Sequence, residues 1–202
     1  MTEENKPGFI RRQILAWRDH TLRSTLLTLI IVAGVGGIIF GDGFNFMLEK
    51  TNTLEFCTSC HTMNQNLVEL QKTGHWSNRS GVRVTCPDCH VPHKFTAKIA
   101  RKMEAAWDVW GQITGVIDTP EKFEARRMEM ATREWARMKA SDSGTCRSCH
   151  NYDAMDGEKQ GQTRFNKHMG AKKDGKTCID CHKGVAHKLP KEYHDPEEDE
   201  EE

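Results

Sequence analysis

All eight cysteines of this chain fall in four copies of Cys-x-x-Cys-His. The copies are Cys57, Cys60 and His61; Cys86, Cys89 and His90; Cys146, Cys149 and His150; and Cys178, Cys181 and His182. This spacing is the attachment signature of c-type haem. Two thiols add to the two vinyl groups of one porphyrin, and the following imidazole can bind the iron from below. Zinc ribbons also pair Cys-x-x-Cys motifs, but they do not require His after the second Cys in every copy. A disulfide framework leaves those histidines unexplained. Four covalent haems, and hence electron transfer, are the expectation.

An iron with two imidazole ligands needs a second histidine on its far face. A His shortly after the motif cannot reach round its own porphyrin, so the distal ligands must come from elsewhere in the chain. The candidates are His75, His168 and His187, with His93 behind them. His20 precedes the apolar run and His194 lies in the tail, so both read as bystanders. The order motif, lone His, motif, nearby His occurs twice. Its landmarks are His61, His75, His90 and His93, then His150, His168, His182 and His187. The pattern reads as a duplicated two-haem unit.

These motifs follow an uncharged apolar run, Ser24 to Gly41. Extended by Phe44 and Phe46 it is long enough to cross a hydrocarbon core of about 30 Å as a helix. Arg11, Arg12, Arg18 and Arg23 precede it, and Asp42, Glu49 and Glu55 follow. The positive-inside rule then puts the N-terminus in the cytoplasm and the motifs on the exported side. A cleaved signal peptide is the rival reading. The run is longer than a usual signal core, and no Ala-x-Ala stands at its end. The expected organisation is a basic segment over 1–23, a transmembrane anchor over 24–47, a multihaem domain over 48–190 and an acidic disordered tail over 191–202.

The fold class expected is mostly α with extensive loops. Tyrosine is rare, with 2 residues, and the hydrophobic fraction is 37% at a mean hydropathy of −0.69. A core of side chains alone is thin, so the haems must supply much of the apolar volume. A helix is predicted over about Thr96 to Ile113. A second starts at Thr119, with Pro120 in its first turn, and stops before Ser143 and Gly144. The net charge is zero, yet Asp195 to Glu202 alone holds seven acids, and removing them from the 29 acids leaves 22 against 29 basic residues. No nucleic-acid module is present.

The segments Asn78 to His93, Gly115 to Glu124 and Lys176 to His187, with the opening Lys6 to Ile10, resemble the NapC/NirT family of membrane-anchored tetrahaem quinol dehydrogenases. Within it, the likeness is greatest to cytochromes that feed periplasmic nitrate reductase. The resemblance implies quinol oxidation at the bacterial inner membrane and transfer to a soluble periplasmic reductase, nitrate reductase first and nitrite reductase behind it. A passive membrane-tethered electron carrier is the alternative. The resemblance also implies that Met63 is an axial ligand of the first haem, with His61 unligated; His61 and His93 stay open as ligands there. His90, His150 and His182 are implied as ligands of the other three haems. Distal ligation is implied as His75 to the fourth haem, His168 to the second and His187 to the third. Asp108 is implied over the open face of the first haem and Lys102 beside the quinol, with Lys98 and Arg101 as alternatives.

Overall fold

The computed structural model describes residues 8–194. The acidic run from Asp195 onward, and Lys6, lie outside the described residues. Every regular element among those described is helical: eleven α-helices and two short 3-10 turns. The expectation of a mostly α fold with extensive loops holds.

The chain divides into two units, residues 1–50 and 51–202. The first is carried by α1 (Phe9–Lys50), 42 residues long, about 63 Å at 1.5 Å per residue. Its apolar side chains stand exposed almost throughout, Ile30, Ile39 and Phe40 among them. The hydroxyls inside it close on the helix itself. Thr25 Oγ1 donates to the Thr21 carbonyl at 2.8 Å and Thr28 Oγ1 to the Ser24 carbonyl at 2.9 Å. That removes the unsatisfied donors lipid would penalise. One helix therefore continues from the expected basic segment through the span.

The second unit is built of short helices around the four motifs. They are α2 (Leu54–Thr58), α3 (Asn64–Leu70), α4 (Cys86–His90), α5 (Phe95–Ile113), α6 (Pro120–Ala125), α7 (Arg127–Ala140), α8 (Gly144–Arg147), α9 (Gly157–Gln160), α10 (Gln162–Lys173) and α11 (Cys178–Cys181). Among the described residues of this unit, Leu70, Ile117, Phe123 and Ile179 are the buried large apolar side chains, the thin core anticipated from composition.

Each motif sits on or beside a short helix started by a local cap. Thr53 accepts from the Phe56 amide at 3.2 Å and opens α2. The second and fourth motifs share one device. Asp88 Oδ2 accepts from the Thr85 amide at 2.7 Å, and Asp180 Oδ2 accepts from the Thr177 amide at 2.8 Å. These are reciprocal capping boxes, and their recurrence follows the sequence duplication. The third motif is entered differently. Ser143 takes the left-handed conformation at φ 50°, is fully buried, and accepts from the Ile179 amide at 3.2 Å. That bond ties the third motif to the fourth.

α5 forms where predicted. The helix expected from Thr119 is divided. Thr119 caps α6 by accepting from the Lys122 amide at 3.3 Å, but Arg126, at φ −112° and ψ 6°, breaks the run before α7. At the break Arg127 turns into an ion-pair cluster. Its guanidinium grips Glu69 on α3 at 2.8 and 3.0 Å and Glu124 at 2.7 Å. It also donates to the Lys188 carbonyl at 3.2 Å, while the Lys188 amide donates to Glu69 at 3.1 Å. The segment bearing His187 is thereby pinned between α3 and α7.

Candidate functional site

Six histidines stand as three facing pairs. The ring centres of His75 and His150 are 6.2 Å apart, those of His90 and His187 6.1 Å, and those of His168 and His182 5.9 Å. Two imidazoles held on opposite faces of one metal, with bonds of about 2.0 Å, set their ring centres about 6 Å apart. Each pair unites one motif histidine with one lone histidine, and none of the eight cysteines is in a disulfide. The residues therefore fit three axially bis-imidazole haems. The pairs differ from those implied by resemblance. His75 faces the third motif and not the fourth, His187 the second and not the third, and His168 the fourth and not the second. The pinning of Lys188 by Glu69 and Arg127 accounts for one of these: it holds His187 beside α3 and α7, next to His90.

The electrostatics suit ligation. Burial pushes His90 and His187 down to about 4, and nearby cationic and imidazole groups push the same way. Burial also lowers His182. The neutral imidazole, which is the ligating form, thus prevails at neutral pH. Acceptors orient two of the rings. His90 Nδ1 donates to Glu134 Oε1 at 3.1 Å, and Glu134 in turn pairs with Arg137. His168 Nδ1 donates to Gln160 Oε1 at 3.3 Å. Glu69 Oε2 stands 3.7 Å from His187 Nδ1. Sequence reasoning missed Glu134, Glu69 and Gln160.

The motifs adjoin one another in chain order. The Cys57 and Cys86 thiols lie close enough to shift each other's ionisation, lowering Cys57 and raising Cys86. Cys89 lies within electrostatic reach of Cys146 and Cys149, and Cys146 within reach of Cys178. Helix α2 packs on α4, and α4 on α8. A path from first to fourth motif needs no detour.

The first motif is the odd one. Its His61 has no facing imidazole among the described residues; His61 Nε2 instead donates to the Asp118 carbonyl at 2.7 Å. Asp118 is held in turn by Lys122 Nζ at 2.7 Å, and that bond keeps its carboxyl below the usual range. Met63 follows His61 in the same 3-10 turn, and Asn66 Nδ2 lies 3.8 Å from its sulfur. Thr62, almost wholly buried, donates to Gln112 Oε1 at 2.8 Å and fastens this turn to α5. His93 is exposed.

Both expected quinol residues are on α5, but they have different neighbours. Lys102 Nζ donates to the Thr51 carbonyl and to Thr51 Oγ1, and stands 6.0 Å from the Phe56 ring, one residue before Cys57. Asp108 Oδ1 accepts from Arg133 of α7 at 2.8 Å. Six residues apart, they point about 120° apart around the helix. Arg101 is close enough to Asp108 and Cys57 to feel both charges.

Four Cys-x-x-Cys-His motifs, an all-helical frame with little side-chain core and one long apolar helix define a tetrahaem c-type cytochrome on a single anchor helix. Comparison with known proteins agrees. Residues 19–192 match the model of the NapC/NirT cytochrome c family, N-terminal region, and the chain belongs to that family. It is 53% identical over 188 residues to the cytochrome c-type protein NapC of Escherichia coli K12, covering 93% of this chain and 94% of that protein. It is 51% identical over 183 residues to the denitrification system component NirT of Stutzerimonas stutzeri, covering 90% and 91%. A putative tetraheme cytochrome of Allochromatium vinosum is 50% identical over 173 residues, covering 86% and 94%. No solved structure matches.

Proposed function

We propose that this protein oxidises quinol at the inner membrane and passes the electrons through four covalent haems to a soluble periplasmic reductase, nitrate reductase first. The observation that carries this reading is the asymmetry of the four sites. Three have facing histidines, while the first has its histidine occupied by the Asp118 carbonyl. A chain of similar sites needs one place where electrons enter, and the dissimilar site is that place.

Cys57 and Cys60, Cys86 and Cys89, Cys146 and Cys149, and Cys178 and Cys181 would hold the porphyrins. His75 with His150, His90 with His187, and His168 with His182 would hold the iron of three, and Met63 would be a ligand of the first. When bound, each haem supplies a one-electron carrier that takes up no proton. Quinol must shed two protons with its two electrons, so the chain must accept them. The Asp108 carboxylate, one oxygen of which Arg133 holds, is the base. Lys102, fixed by Thr51, favours an anionic quinol oxygen beside Phe56 and Cys57. α1 anchors the protein, with its N-terminal end in the cytoplasm and residues 48–190 in the periplasm.

The passive-carrier reading draws on the same contacts, because Arg133 and Thr51 give Asp108 and Lys102 structural partners. Reduction of the purified full-length protein by a quinol analogue, with dithionite as reference, decides between them. Rapid reduction by quinol is the result expected. Reduction by dithionite alone leaves only the passive carrier.

A further inference from the structure

The polarity of α5 is inverted relative to the unit it belongs to. At about 100° per residue, Phe95, Met103, Trp107, Trp110 and Ile113 fall on one arc with Ile99 and Ala106. That arc carries no charge and faces outward, with Trp107 74% and Ile113 71% exposed. Lys102 borders the arc, and Arg101, Glu104 and Asp108 lie on the other side. There Asp108 meets Arg133 and Glu104 meets Arg137, both arginines on α7. A soluble helix shows the reverse arrangement, so this face is built to meet something apolar.

Two observations identify the occupant. Two tryptophans one turn apart, with methionine and isoleucine around them, are the composition found where protein meets the headgroup level of a bilayer. Lys102, near the middle of α5, is bonded to Thr51, the residue directly after α1 in the chain. Thr51 is four residues beyond the expected end of the span, about 6 Å along a helix. The bond thus holds α5 to the first residue of the second unit, which follows α1 directly in the chain.

We propose that α5 is a second membrane contact, its apolar arc lying in the interfacial region of the bilayer that α1 enters. The inference rests on α1 as the anchor and goes beyond quinol oxidation, on which it does not depend. It gives lipid-dissolved substrate a short route to the helix bearing Lys102 and Asp108.

The test uses the full-length holoprotein in nanodiscs of phosphatidylcholine and phosphatidylglycerol doped with a phospholipid carrying an acyl-chain diazirine. Photolabelled peptides are mapped by mass spectrometry. Label is expected in α1 and also over 103–113. Label in α1 alone overturns the proposal, whether the arc is then covered by the porphyrin of the first site or by a second copy of the chain. No label in α1 overturns it too, together with the anchor reading. In Trp107→Ser, Trp110→Ser, α5 labelling should fall several-fold with α1 labelling unchanged. Undiminished α5 labelling in that variant means the probe reaches the helix without interfacial docking, and also overturns the proposal. Quinol oxidation, measured separately, stands or falls on its own.

Discussion

His90 Nδ1 and Glu134 Oε1 meet at 3.1 Å across 44 residues of sequence. With Nδ1 donating, Nε2 of that ring is left for a metal, and a carboxylate on the far nitrogen makes the imidazole a stronger electron donor. At the fourth site the corresponding acceptor is the neutral amide of Gln160.

The consequence is a difference in redox potential set by one charge. Glu134→Gln keeps an acceptor oxygen and removes the charge, so one of the four haems should titrate at a higher potential than in the wild type. Gln160→Glu should lower one other. Optical redox titration with spin-state spectra reads both, and potentials unmoved in both variants would leave these contacts with a structural role only.

The pairing of histidines can be tested by subtraction. His75→Ala should turn one low-spin haem high-spin without loss of covalent attachment. Combined with Cys146→Ser and Cys149→Ser, which remove the third haem, the high-spin signal should vanish. Combined with Cys178→Ser and Cys181→Ser it should persist. The opposite result would restore the pairing of His75 with the fourth motif.

Arg127 and Glu69, each with its side chain 10% exposed, form a bidentate pair that also fixes Lys188. Arg127→Met leaves Glu69 with a buried charge and should cost about 3–5 kcal/mol. The double variant with Glu69→Gln should cost less than the sum of the two singles. Denaturant titration of the holoprotein measures this. Because His187 is on the pinned segment, Arg127→Met should also raise the high-spin fraction of one haem.

Asp108→Asn should slow reduction by quinol about a hundredfold while leaving reduction by dithionite intact, since dithionite needs no proton acceptor. Lys102→Ala should weaken quinol use similarly, or by less where Lys98 or Arg101 substitutes. Stopped-flow absorbance at the haem bands separates the two reductants. Wild-type rates in both variants would place quinol elsewhere.

The sequence made the attachment sites legible because their spacing is chemically demanding and occurs four times. α5 was legible for a similar reason: nothing between Phe95 and Ile113 interrupts a helix. The ring pairs were not. His187 and His90 are nearly a hundred residues apart, and no local pattern says which distant imidazole a motif will face. The break at Arg126 was also hidden, because it arises from Arg127 reaching for Glu69 on another helix. Glu134 and Gln160 look in sequence like ordinary polar residues on solvated helices. Their roles come from the partner each faces after folding. Asp118 lay inside a quoted motif, Gly115 to Glu124, yet it is its backbone carbonyl that meets His61, and a carbonyl leaves no trace in residue type.

The three histidine pairs also impose a timetable on biogenesis. As the chain is synthesised N-terminus first, His75 is already made when the third motif appears, and His168 precedes the fourth. Those two sites can close as soon as their own cysteines are loaded. The second motif must wait for His187, close to the end of the described chain, so its axial pair is completed last. A chain stalled anywhere before that residue would carry an open second site in the middle of the relay. Completion of the protein is thus signalled at its centre and not at its end.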